Sequence, residues 1–229
     1  VVAAQNIVQL RQLLAQRFGG VWSLPEAPQP KPAHYIATGL PQLDEALGGG
    51  LPKGNLTELL CPIRQMGSGL VLRWLVQQLS CRGLWLALID GLDSFDPAGL
   101  EQATLARLLW VRCQQAIQAI QAADLLLRDS QAPVVVLDLR LNPAQHLRAI
   151  PHSAWYRLQR LVDPTETALV VLTAQPWVST AQARVELGGR FGLDALDQDA
   201  SGLLARVQVK VLLHRAAAQP AEPLVAHAS

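Results

Sequence analysis

The sequence predicts an α/β fold: a mostly parallel central sheet flanked by helices, preceded by an N-terminal helical arm. Three observations point there. Strand-like and helix-like segments alternate along the chain. Several strand-like segments are unbroken apolar runs, as expected of strands buried on both faces. A strand, a glycine-containing loop and a helix also follow one another near residue 60.

Residues 5–18 (QNIVQLRQLLAQRF) place Ile7, Leu10, Leu13, Leu14 and Phe18 at helical spacing, and Gly19-Gly20 ends that pattern. This defines an N-terminal helix within residues 1–20. A linker over residues 21–35 follows, with four prolines between residues 23 and 33. The arm is read as packing back on its own core or gripping another subunit.

The core is expected over residues 36–215. Leu56–Leu60 reads as a strand, Leu70–Leu79 as a helix and Leu84–Ile89 as a buried strand. A short helix is expected at Pro97–Ala106 with Asp96 as its N-cap. Then come strand Leu108–Arg112, helix Gln114–Arg128, strand Val134–Leu137, helix Ser153–Leu161 and strand Ala168–Thr173. Residues 175–201 are polar and read as one or two long loops. Leu203–Leu213 alternates and reads as one late strand. The tail, residues 216–229, is rich in Ala and Pro and is expected to be disordered.

Composition narrows the function. Half of the 229 residues are hydrophobic and the net charge is +1, so any contact with nucleic acid has to be local. Lysine occurs only at positions 31, 53 and 210, and arginine supplies the remaining basic residues. Cys61, Cys81 and Cys113 lie far apart with no CxxC spacing. They are expected to be buried small residues of a reducing compartment rather than a disulfide framework or metal site. No signal peptide or membrane span is apparent, so a cytoplasmic protein without membrane contact is expected.

The strand–loop–helix unit should carry the chemistry. A phosphate-binding P-loop needs GxxxxGK[ST] between strand and helix. Its backbone N–H groups wrap phosphate, its lysine neutralises charge and its hydroxyl holds magnesium. The loop here is Cys61-Pro62-Ile63-Arg64-Gln65-Met66-Gly67-Ser68-Gly69, and no lysine exists between Lys53 and Lys210. Arg64 could reach a phosphate or be a solvated loop residue. Gly67, Ser68 and Gly69 still offer N–H groups at a helix start, or form only a tight turn. Asp138 ends the apolar run VVVLD, where a P-loop fold orients magnesium, although its neighbour Arg140 could simply pair with it. Asp90 ends WLALID in the same way and could serve only to cap the next turn. No catalytic residue, metal site or required cofactor is expected, with room for weak binding of ATP and magnesium.

Residues 36–62 (IATGLPQLDEALGGGLPKGNLTELLCP) resemble the entry to the core of RecA-family recombinases. The resemblance rests on Thr38-Gly39, Leu43-Asp44, Gly48-Gly49-Gly50-Leu51-Pro52, Gly54, Glu58 and Pro62. Later blocks fall in the family's order: Asp90 with Asp96-Pro97, then VVVLD, then ALVVLTAQ ending at Gln175. The resemblance implies a RecA-like P-loop fold, with Gln175 as the nucleotide-sensing glutamine. The chain departs from the family pattern at the P-loop lysine and at the water-activating glutamate, where Leu92 stands. A leucine cannot act as a base, and a site without lysine stabilises phosphate charge poorly.

A RecA-like chain with a degenerate P-loop looks most like the ImuA family of DNA-damage-inducible accessory proteins; SAWYRLQRLVDPTETALVVLT, residues 153–173, is also similar to that family. The resemblance implies a non-catalytic adaptor in SOS-induced translesion synthesis. Its partners would be an ImuB-like protein, RecA, an error-prone replicative-type polymerase and, as a further candidate, single-stranded DNA. In the recombinases, loops equivalent to about residues 140–152 and 176–200 contact DNA. Arg148, Arg157, Arg160, Arg184 and Arg190 are therefore the DNA-contact candidates, against the alternative of a solvated helix face for the first three. The second loop also carries Glu186, Asp194, Asp197 and Asp199, which oppose a phosphate contact. Trp155, Tyr156 and Trp177 could stack on bases, anchor a partner or fill the core. An active RecA-like ATPase using Arg64, and a cell-division-inhibitor-like binding protein, are the alternative functions.

Overall fold

The computed structural model describes residues 35–62, 68–189 and 198–214, all within one compact unit of residues 33–216. The helix expected at residues 5–18, the linker apart from Tyr35, and the tail after residue 215 lie outside the described residues.

The entry is a small knot. Strand β1 (Tyr35–Ile36) pairs antiparallel with β2 (Leu51–Pro52), and helix α1 (Pro41–Ala46) lies between them. The Asp44 carboxylate accepts hydrogen bonds from the Thr38 N–H and hydroxyl, both at 2.7 Å, and from the Gly39 N–H at 3.1 Å. Thr38, Gly39 and Asp44 of the recombinase-like block therefore hold the turn before α1.

The body is a seven-stranded sheet. Its elements are β3 (Asn55–Leu60), α2 (Ser68–Cys81), β4 (Leu86–Asp90), α3 (Gln102–Leu105), β5 (Leu108–Arg112), α4 (Ala116–Asp129), β6 (Val134–Asp138), α5 (Ala144–Arg148), α6 (His152–Val162), β7 (Ala168–Thr173), β8 (Ala183–Gly188), α7 (Ala200–Ala205) and β9 (Gln208–His214). The strand order is β5-β4-β6-β7-β3-β8-β9. All neighbours are parallel except β9, which runs antiparallel to β8.

Two cores explain the apolar runs. Val134 and Val136 of β6 join the core beneath α2, while Val135 and Leu137 join the core beneath α4 and α6. Successive side chains of a strand point to opposite faces. A strand with helices on both sides therefore needs apolar residues at every position.

The structure differs from expectation in four places. The helix expected at Pro97–Ala106 is reduced to Gln102–Leu105. Asp96 caps no helix; its carboxylate accepts from the Ala98 N–H at 2.8 Å, and Gly99 turns the chain with a φ of 73°. Residues 175–201, expected as one or two long loops, are not a single loop, because strand β8 runs through them. Leu203–Leu213 is not one strand but the end of α7 followed by β9. Cys61 and Cys113 are buried as expected, whereas Cys81 is exposed.

Leu88, in the centre of β4, is fully buried, so Leu88→Ala should lose about 2–5 kcal/mol of stability. Leu125 on α4 is 68% exposed, so Leu125→Ala should stay within about 0.5 kcal/mol of the parent. Urea denaturation of the two variants checks both.

Candidate functional site at the strand ends

In parallel α/β sheets, ligands bind beyond the carboxyl ends of the strands. The carboxyl ends of β3, β4 and β6 hold the residues singled out in the sequence. Asp90 and Asp138 are register partners on β4 and β6. Both are buried, and each is fully engaged by its own loop.

Arg140 folds back onto Asp138. Its Nε donates to Oδ1 at 2.8 Å and its Nη2 to Oδ2 at 2.6 Å, and the Arg140 backbone N–H adds a third bond to Oδ1 at 3.1 Å. The Arg140 side chain is only 10% exposed. Burial pulls the guanidinium's pKa down, but the hydrogen bonds and charge of Asp138 outweigh that and the net displacement is upward. Arg140 is therefore a permanent cation. A Cβ built on Gly69, in the first turn of α2, would lie 4.0 Å from Arg140 Nη1. The guanidinium thus spans from the strand end towards the helix start. Cys61 lies in the same electrostatic neighbourhood, and burial pushes its thiol up to about 12, so it stays neutral there.

The Asp90 carboxylate accepts from the Phe95 N–H at 2.7 Å, the Ser94 hydroxyl at 3.3 Å and the Leu92 N–H at 3.4 Å. It caps the turn after β4. Leu92, where the family's base would stand, is 37% exposed and offers no proton acceptor. Asn142, which the sequence reading missed, ties the two loops by donating from Nδ2 to the Gly91 carbonyl at 2.8 Å. The Gly91 N–H donates to the Asp138 carbonyl at 2.9 Å. A Cβ on Gly91 would come within 2.4 Å of Asn142 Oδ1 and 2.7 Å of the Asp138 carbonyl, so only glycine fits.

Magnesium needs accessible carboxylate or water oxygens. Asp138 presents both of its oxygens to a guanidinium instead. The residues described here do not fit a magnesium-bound triphosphate. Arg64, Gly67 and the Ser68 side chain lie outside the described residues. Gln175 is exposed just beyond β7.

The DNA-contact candidates separate. Arg184 is corrected: its Nε donates to Oε2 of the fully buried Glu58 at 2.6 Å, and its Nη2 to the Val178 carbonyl at 2.7 Å. Glu58 Oε1 also accepts from the Thr173 hydroxyl and from the Trp177 and Val178 N–H groups at 2.9, 2.8 and 3.2 Å. This network spans β3, β7 and β8 and clamps the segment between β7 and β8, which covers only residues 174–182. A carboxylate in an apolar strand such as LTELL demands a buried cation, and that demand was the available signal for Arg184. The segment 140–152 is likewise no open loop; it contains α5, with Leu147 and Ile150 in the core. Arg157 pairs with Asp124, and Arg148 and Arg160 are exposed. Arg190 lies outside the described residues. Trp155 is core, Trp177 is half-buried and Tyr156 is 60% exposed.

The sheet order and the strand-end site define an α/β protein of RecA-like fold. Sequence comparison agrees. The chain is 30% identical to Protein RecA of Thioalkalivibrio sulfidiphilus over 186 residues, covering 76% of this chain and 53% of that protein. It is 34% identical to Protein RecA of Frankia alni over 123 residues, covering 52% and 35%. It is 29% identical to Protein RecA of Methylococcus capsulatus over 212 residues, covering 87% and 60%. The chain spans between about a third and three fifths of the length of these relatives. No family model matches. The chain has a RecA-like fold and is distantly similar in sequence to RecA. Among the described residues, no helix is long and apolar enough to cross a membrane.

Removing Arg140 leaves a buried carboxylate unpaired. Arg140→Ala should cost about 3–5 kcal/mol, whereas the double change Arg140→Met with Asp138→Leu should lie close to the parent. Urea denaturation of the three proteins compares them directly.

Proposed function

We propose that the chain is a non-catalytic RecA-like adaptor in SOS-induced translesion DNA synthesis, as its resemblance to the ImuA family implies. It works in the cytoplasm with an ImuB-like protein, RecA and an error-prone replicative-type polymerase. Relatedness to RecA supports a place in DNA repair.

The observation that carries the non-catalytic part is the Arg140–Asp138 pair. The carboxylate that would orient magnesium is neutralised by the chain's own arginine. Two further features agree with it. Leu92 stands where a general base is needed, and no lysine lies between residues 53 and 210. Phosphoryl transfer depends on positioning and on neutralising charge, and these features weigh against it. The short, clamped segment between β7 and β8 also supports a scaffold role, because a mobile DNA-gripping loop has no room there.

The test is ATP turnover by the purified chain, with and without single-stranded DNA, beside recovery of its partners from DNA-damaged cells. The reading expects background turnover, unchanged in Asp138→Asn, and recovery of the polymerase-like protein and the polymerase. Turnover that DNA stimulates and Asp138→Asn abolishes would overturn the non-catalytic reading. Loss of the gene without effect on damage-induced mutagenesis would overturn the adaptor reading.

A further inference from the structure

Helices α4 and α6 pack side by side and leave a groove of about 770 Å³ between them. One wall carries two exposed apolar side chains on α4, Ile117 at 44% and Leu125 at 68% exposure, on either side of the polar Gln121. These residues are spaced i, i+4, i+8 and share one helix face. Pro151, Ala154 and Leu158 line the α6 side. Two apolar side chains this exposed, at helical spacing, match the way a groove receives the apolar face of an amphipathic helix.

The charge around the groove is one-sided. Residues 144–162 contain three arginines and two histidines with no Asp or Glu, in a chain whose net charge is only +1. Within the groove, Asp124 is the single carboxylate, and two guanidiniums hold it: Arg128 at 2.9 Å and Arg157 at 2.5 Å. Two cations on one anion leave a net positive charge. Arg160 lies one turn beyond Arg157 on α6 and is exposed, as is Arg148 on α5. Asp129 and Asp163, at the far ends of α4 and α6, are the nearest opposing charges along these helices.

We propose that the α4–α6 groove docks an acidic amphipathic helix of a partner protein, its apolar face on Ile117 and Leu125 and its carboxylates towards Arg157 and Arg160. The charge argues against the chain's own residues 5–18, which carry Arg11 and Arg17 and no acid. It argues against nucleic acid as well. Two or three cations release few counterions, and a phosphate backbone gains nothing from exposed apolar side chains. The groove shares no lining residue with the Asp138 site, so the inference stands or falls separately from the proposed function.

The test uses the full chain and a fluorescent designed peptide with leucine on one helix face and glutamate on the other. Its lysine counterpart, a peptide of residues 1–20 and oligothymidylate are the competitors. Anisotropy should show the glutamate peptide binding roughly tenfold or more tighter than the lysine peptide, with the advantage falling as salt rises. Arg160→Glu and Leu125→Gln each alter an exposed side chain and should leave the fold intact, as circular dichroism can verify. Each should weaken the glutamate peptide by roughly tenfold. Equal binding of the two designed peptides, binding insensitive to both variants, or preferential capture of residues 1–20 or the oligonucleotide would each overturn the proposal. So would a self-association of the chain that Leu125→Gln abolishes.

Discussion

The site is governed by one buried ion pair. Asp138 ends a strand in the middle of the sheet, where its carboxylate has left water and needs a cation. In a nucleotide-binding protein that cation can be a hydrated metal brought by the ligand. Here it is Arg140, two residues further along the same chain. A cation supplied from within costs no binding step and is never released. The strand end is therefore complete without a ligand, and the surrounding residues follow suit. Asp90 is spent on its own turn, Asn142 and Gly91 stitch the two loops together, and Leu92 faces outward.

The same economy appears on the other side of β3. Glu58 is fully buried in a strand of leucines, and its charge is met by Arg184 from β8. That pair fixes the segment between β7 and β8 through the Trp177 and Val178 N–H groups. Two buried carboxylates and two arginines thus hold the carboxyl face of the sheet in a single arrangement. Buried pairs of this kind contribute little net stability, yet removing one partner is costly. Their effect is to fix geometry.

Much of this was legible in the sequence, and the parts that were not share a cause. The buried strands β4, β6 and β7 announce themselves because helices cover both faces and every position must be apolar. The loss of the P-loop lysine needs no structure. Strand β8 was hidden because Arg184 and Glu186 interrupt its apolar residues; Ala183, Val185 and Leu187 supply the buried face, while Arg184 serves a partner 126 residues earlier in the chain. The division of residues 200–214 into α7 and β9 was hidden because short edge elements carry weak periodicity. For Asp138, the sequence left two readings open, a magnesium-orienting carboxylate or a pair with its neighbour Arg140. Only the fold shows that the turn after β6 aims the side chain back at Asp138.

Manganese offers the most direct check on the Arg140–Asp138 account, because it takes magnesium's place and is visible by electron paramagnetic resonance. In a titration of the intact chain with Mn²⁺ and ATP, the signal should remain that of free metal and metal–nucleotide in solution. A bound-manganese spectrum that disappears in Asp138→Asn would show that the carboxylate is open to metal and that the arginine does not hold its place.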